Sequence, residues 1–386
     1  MKKVSGSPLP LGVTYKNGRA NFAMEVPEGK TCKLLLYRKG EASLLASYVF
    51  SDRIGSVCYM AVDGLKEEAY EYNYDIDGER VTDSYAKALS GKEVWFKNIE
   101  ISEKSKENVR GIFYEDHYDW EADQSPRIKE EELIAYAIHV RGFTKDTHSK
   151  VKNKGTFQGV IEKIPYLKDL GINQIQCMPV YEFEEAGMRV NYWGYGPGYY
   201  FAPKSAYAKD GDGVKGLKDL VKYCHKAGIE VVLEMPFAEG ISGLMVTDCL
   251  RNYVMEYHVD GFSLDLIDCV NMKYRGASHV YKWLDDIKKS MAEEDTNLVI
   301  WGDNYTKEER QNKTSVYDEI IGTTGGTYGD RNEKAVKIYK QKAAMKYATP
   351  GTLFMDGGEE MCNSVKETGS SCLEWKDSAD YADVVS

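Results

Sequence analysis

Residues 251–269, RNYVMEYHVDGFSLDLIDC, decide the fold. Tyr253, Val254 and Tyr257 share one face at helical spacing, whereas residues 261–266, GFSLDL, are short and apolar and read as a buried strand. Asp260-Gly261 makes the turn between them, and the strand runs out on Asp265. In a parallel α/β barrel the strand ends form the working face. A carboxylate at that point is a catalytic candidate, with a capping or ion-paired aspartate as the plainer alternative.

Outward from this stretch the same alternation continues. The pattern predicts strands at 134–140, 172–178, 229–235, 261–266, 298–302, 316–321 and 352–355, and helices at 157–170, 214–227, 247–257, 279–293 and 332–347. Lys168-Asp169-Leu170-Gly171-Ile172 and Lys226-Ala227-Gly228-Ile229 are each a helix closing on glycine and feeding a strand. Strands alternating with helices imply a parallel sheet with helical crossovers. The expected architecture is a (β/α)8-type TIM barrel over residues 131–365, one strand short of closure.

Residues 1–100 read differently. Alternating or apolar runs at 20–24, 32–37, 44–50, 57–62 and 70–76 are separated by Asn17-Gly18, Pro27-Glu28-Gly29 and Asp77-Gly78-Glu79. That spacing predicts a small immunoglobulin-like β-sandwich. Residues 101–130, charged and aromatic, read as a linker lying over the barrel, and 366–386 as a polar tail.

The chain has 386 residues, of which 42% are apolar, enough for two folded domains with a substantial core. A net charge of −11 without a basic patch disfavours nucleic-acid and anionic-membrane partners, leaving a neutral ligand as the natural expectation. Tyrosine outnumbers phenylalanine 29 to 11, and such rings serve carbohydrate sites as platforms with a polar rim. Neither a leader pattern nor a long apolar span is recognisable, so a cytoplasmic location is expected. The eight cysteines form no C-x-x-C pair and are expected to be reduced and mostly buried. No metal and no cofactor is expected. Asp210-Gly211-Asp212-Gly213 opens like a calcium loop but has Val221 at the closing position, and Gly194-Tyr195-Gly196-Pro197-Gly198 and Gly322–Gly326 lack a phosphate-loop lysine, so all three read as turns. Cys224-His225 on its helix reads as packing.

HVDGFSLDLID resembles the nucleophile-bearing strand of the α-amylase superfamily of glycoside hydrolases, whose pattern is Gly-Phe-Arg-x-Asp. Longer colinear stretches, IAYAIHVRGFT (134–144), GTFQGVIEKIPYLKDLGINQIQCMPVYEF (155–183), NYWGYGPGYYFAPKSAYA (191–208) and GLKDLVKYCHKAGIEVVLE (216–234), are similar to its isoamylase, pullulanase and glycogen-debranching branch. So is LGVTYKNGRANFAMEVPEGKTCKLLLYRKG, which resembles that branch's N-terminal sandwich. The resemblance covers about residues 8–365 and implies α-glucan or malto-oligosaccharide as ligand. By it Asp265 falls on the nucleophile and Asp303 on the general acid, while Tyr195 falls on the ring that stacks the sugar. Trp193, His139, Arg141, Glu239 and Ser263 are the accompanying substrate-binding positions.

The same resemblance shows departures. Ser263 stands where the family has the arginine that keeps the nucleophile ionised, and Asp303 where it has glutamate. Glu234-Met235-Pro236-Phe237-Ala238-Glu239 replaces Asp-x-x-x-Asn-His, and no His-Asp pair follows the later strands. Retaining hydrolysis needs two carboxyls roughly 5–5.5 Å apart with separated pKa values. Loss of charge support, proton donor and sugar grip together points to a non-catalytic relative that binds α-glucan or a protein partner. The alternatives are an active debranching hydrolase, with Glu234 or Glu239 as a compensating carboxyl opposite Asp265, and a relic fold without ligand.

Overall fold

The structure, a computed structural model, describes residues 1–95, 109–185, 191–238, 240–264, 299–302 and 353–357. The strand expected at 316–321, the helices expected at 279–293 and 332–347, the turn at Gly322–Gly326 and the tail at 366–386 lie outside the described residues.

The N-terminal unit is a sandwich of short antiparallel strands. Its first sheet takes β1 (Lys2–Val4), β2 (Gly12–Lys16), β3 (Arg19–Glu25), β6 (Asp52–Ile54) and β7 (Val57–Asp63), ordered β1-β7-β3-β2 with β6 also on β7. The second takes β4 (Cys32–Arg38), β5 (Leu44–Val49), β8 (Tyr70–Ile76), β9 (Glu79–Val81), β10 (Leu89–Ser90) and β11 (Arg110–Ile112), ordered β10-β11-β8-β4-β5 with β9 on β8. Phe22, Met60 and Val62 from one sheet meet Leu34, Leu36, Tyr72 and Tyr74 from the other in a shared core. Burying alternate residues of both sheets in this way is what holds a sandwich together. The module ends later than the sequence reading: β11 lies inside the stretch assigned to the linker, and Phe113 packs in the sandwich core. The charged run before it hid a three-residue strand.

The second unit is built on parallel strands β12 (Ile134–Ile138), β13 (Gln174–Cys177), β16 (Glu230–Met235), β17 (Gly261–Leu264), β18 (Val299–Gly302) and β19 (Leu353–Asp356). Their order is β18-β17-β16-β13-β12-β19. Strands succeed one another in sequence order and β19 returns beside β12, pairing Ala137 with Asp356. That is the wrap of a barrel, although among the described residues the sheet stays open between β18 and β19. Val231, Val232 and Leu233 are all fully buried, as expected of a strand covered on both faces.

Among the described residues the α-helices are α1 (Val140–Thr144), α2 (Phe157–Glu162), α3 (Ile164–Asp169), α4 (Gly213–Lys226) and α5 (Gly243–Tyr257). The single helix expected over 157–170 is two, because Pro165 has no N–H to donate back and instead starts a fresh turn. In α4 the side chain of Asp212 accepts from Lys215 N, and Leu217, Leu220, Val221 and Cys224 form the buried face. The Asp210–Gly213 segment is thus a helix start.

Residues 114–128 cross α4 as a strap. Tyr118 Oη donates to Asp219 at 2.8 Å, Lys222 Nζ to Asp119 O at 3.0 Å, and Lys226 Nζ to Glu121 at 2.7 Å, while Lys218 pairs with Asp116. These contacts set acidic and tyrosine side chains of the strap against a ladder of lysines on α4. At its end Asp123 meets His225 Nδ1 (3.0 Å) and His258 Nδ1 (2.8 Å), and His225 Nε2 reaches Asp260 at 2.9 Å. His225, Asp123 and Asp260 have side chains 1% exposed. The cluster sits where β16 and β17 begin, with Val231 N donating to Asp260. That end of such a domain serves stability. His225, expected to be packing, is the centre of an ion-pair network.

Candidate carbohydrate site

The sheet's carboxyl ends carry the candidate residues. Between β13 and α4 the chain makes an antiparallel hairpin, β14 (Tyr181–Phe183) with β15 (Gly198–Pro203), and its connecting segment presents Asn191-Tyr192-Trp193-Gly194-Tyr195. Asn191 organises the turn, accepting from Gly194 N at 3.1 Å and donating to Tyr195 O at 3.0 Å. Tyr181 Oη donates to Gly194 O at 2.8 Å. Gly194 has φ +85 and a Cβ there would stand 2.5 Å from the Phe183 ring, so only glycine fits.

Tyr195 is thereby held 43% exposed, its hydroxyl donating to Glu234 Oε1 at 2.8 Å. Glu234 is near the end of β16, and the β16–β17 register sets it beside Ser263, half-buried on the neighbouring strand. The position that the resemblance gives to arginine is therefore a small neutral group next to a carboxylate and the candidate sugar platform. A neutral side chain there supplies none of the charge that would keep a nearby acid ionised.

His139 caps α1: its Nδ1 accepts from Gly142 N at 2.9 Å, which assigns the proton to Nε2, 3.0 Å from Tyr192 O and 3.1 Å from the Tyr207 hydroxyl. Burial, with Arg141 and Lys204 nearby, pushes it down to about 3. A neutral imidazole with both nitrogens engaged inside the protein supports the wall. Tyr192 stacks on it (4.4 Å between centroids), with Trp193 edge-on at 5.5 Å. The Arg141 guanidinium lies 4.7 Å from the Trp95 ring centre.

Behind this wall Lys204 is fully buried, its Nζ 2.9 Å from Glu182 Oε1 and donating to Phe183 O at 3.0 Å. Glu185 Oε1 lies 2.8 Å from the same ammonium but without a well-aligned hydrogen bond, so that contact is mainly charge. Sequence reading missed Lys204, Glu182, Tyr207 and Trp95. The only available signal was the density of aromatic residues between 181 and 207.

The structure thus brings His139, Arg141, Trp193 and Tyr195 to one wall and Ser263 and Glu234 to adjoining strand ends. Asp265, Asp303 and Glu239 lie outside the described residues. The five described cysteines are buried free thiols, and the described residues hold no cluster of His, Cys, Asp and Glu able to bind a metal ion. No helix among the described residues is long and apolar enough to cross a membrane.

The family model for the α-amylase catalytic domain matches residues 137–237. Isoamylase 3, chloroplastic, of Oryza sativa subsp. japonica is 28% identical over 352 residues, covering 69% of this chain and 44% of its own length. The Glycogen operon protein GlgX homolog of Haemophilus influenzae is 26% identical over 366 residues, covering 76% and 55%. The crystal structure of a pullulanase from Paenibacillus barengoltzii in complex with maltohexaose and α-cyclodextrin has a similar fold, with a TM-score of 0.74 at 16% identity over 98% of this chain and 79% of that one. The chain spans less than half the length of the chloroplastic isoamylases it matches.

Proposed function

We propose that this chain, which is similar to the α-amylase catalytic domain and to isoamylases and a glycogen operon protein, binds α-glucan at the Tyr195 wall and does not hydrolyse it. The observation that carries this is the pairing at the strand ends. Tyr195 is exposed and fixed by Glu234, while Ser263 occupies the adjoining position in place of a cation. The platform is built, and the position that the resemblance gives to arginine holds a neutral serine. Ala238 and Glu239 in place of Asn-His, and Asp303 in place of glutamate, extend the same trend in sequence. Such groups act as a unit, and losing one already costs on the order of 100-fold or more. The ligand class is supported by the relatives' names and by the pullulanase complex with maltohexaose. A cytoplasmic location and binding to a protein partner belong to the same reading as its finer parts.

The second reading, a working debranching hydrolase with Asp265 as nucleophile and Asp303 as acid, is favoured by relatives that are named as isoamylases. One experiment separates the two. The protein is run through native gels containing glycogen, and reducing ends are measured after long incubation with glycogen and pullulan at high protein concentration. Retardation is expected for the wild type, with apparent Kd raised about tenfold or more in Tyr195→Ala, equivalent to losing roughly 1.4 kcal/mol of contact. Release of reducing ends that Asp265→Asn abolishes would replace the binding reading with the hydrolase.

A further inference from the structure

Trp95 belongs to the segment that leaves the sandwich, yet its neighbours belong to the candidate site. Its ring stacks on Tyr207 at 5.7 Å and 15°, meets Tyr192 edge-on at 5.8 Å and Phe183 edge-on at 6.1 Å, and has the Arg141 guanidinium 4.7 Å from its centre. Tyr207 and Tyr192 in turn both contact His139, and Tyr192 precedes Trp193 and Tyr195 in the fixed turn. Three residues upstream Lys92 Nζ pairs with Glu184 Oε2 at 2.5 Å, a second tie from the same segment to the same hairpin.

We propose that Trp95 is a positioning residue through which the sandwich module sets the carbohydrate wall, holding Arg141 and the 191–195 turn in place; this rests on the α-glucan reading of that wall. The physical basis is direct. An arginine over an indole face gains attraction that holds its planar fork in one orientation, and edge-on aromatic contacts fix ring angles. Without the indole, Arg141 and Tyr192 lose a common support and a ligand must order them as it binds.

The test uses the full chain and four variants: Trp95→Ala, Trp95→Phe, Arg141→Ala and the Trp95→Ala/Arg141→Ala double variant. Amide hydrogen exchange without ligand is expected to speed up about tenfold in residues 191–195 of Trp95→Ala, with the β12, β13 and β16 amides unchanged, and to return most of the way in Trp95→Phe. Unaltered exchange at 191–195 overturns the inference, as does a loss of protection spread through the sheet, which would mean a general packing role. Retardation in glycogen gels is expected to show Kd raised about tenfold in Trp95→Ala, with the Trp95→Ala/Arg141→Ala double variant losing less than the two single losses combined. Additive losses would overturn the coupling. Failure of the wild type itself to be retarded would instead overturn the α-glucan reading, and the exchange result still decides whether Trp95 holds the turn.

Discussion

Lys204→Met is expected to destabilise the protein by about 3–5 kcal/mol, the largest effect of any single substitution considered, because it leaves buried carboxylates without their cation. Lys204 is fully buried and its ammonium stands between Glu182 and Glu185, both less than 6% exposed at the side chain. Methionine keeps nearly the same length and volume, so packing is conserved and the loss isolates charge. Glu182 keeps Ser205 N and Oγ as donors at 3.0 and 2.8 Å, which tempers the penalty on that side. Glu185 has less to fall back on. Urea unfolding followed by tyrosine fluorescence measures the change, and the triple variant with Glu182→Gln and Glu185→Gln is expected to recover most of it, since a neutral polar set avoids the stranded charge. A Lys204→Met midpoint shift worth less than about 0.5 kcal/mol would mean that water reaches these carboxylates. The cluster also underlies the site, since Lys204 lies 4.0 Å from the Phe183 ring centre and 5.3 Å from that of Trp95. Glycogen retardation should weaken along with stability.

The second large effect is a pH dependence centred on His225. Burial alone would lower this histidine, but hydrogen bonds to Asp123 and Asp260 outweigh it and push it up to about 9 from an ordinary 6.5. A pKa raised on folding contributes stability that is complete below 6.5 and disappears as pH rises through about 9. Asp123 works the other way. Burial would raise it, yet hydrogen bonds from His225 and His258 bring it from 3.8 down to about 2, so its share is present above 3.8 and lost as pH falls through about 2. The network is therefore strongest between about pH 4 and 6.5. His225→Gln is expected to cost roughly 3 kcal/mol at pH 5–6.5 and progressively less towards pH 9 and above. Thermal unfolding of wild type and variant from pH 5 to 10 reads the difference. A gap that stays constant across that range would remove the protonated His225 from the account.

What the sequence revealed and what it hid follows from how local each signal is. Gly171 and Gly228, each closing a helix before a strand, announced β13 and β16 within a residue or two, because a left-handed glycine is a requirement of a few adjacent residues. The exposed ring at Tyr195 was legible through the colinear stretch 191–208. The β14–β15 hairpin was not, since its fourteen-residue connection looks like loop and its strands pair across a bulge between Tyr181 and Glu182. Nor was the His225 network. It joins residues 123, 225, 258 and 260 from a strap, a helix end and a strand start, and Cys224-His225 alone carries no sign of acids a hundred residues upstream. Trp95 was hidden for the same reason: its partners at 141, 192 and 207 are brought to it only by the barrel wrap.

The late strand β11 has a practical corollary for anyone cutting the chain into pieces. Gly111 and Ile112 pair with Tyr72 and Glu71, Arg110 forms a buried ion pair with Glu71, and Phe113 fills the core, so a fragment stopped at residue 100 would unpair β8 at Glu71 and Tyr72 and leave Glu71 without its guanidinium. An expression boundary for the isolated N-terminal half belongs after Phe113, ahead of the acidic residues that grip α4.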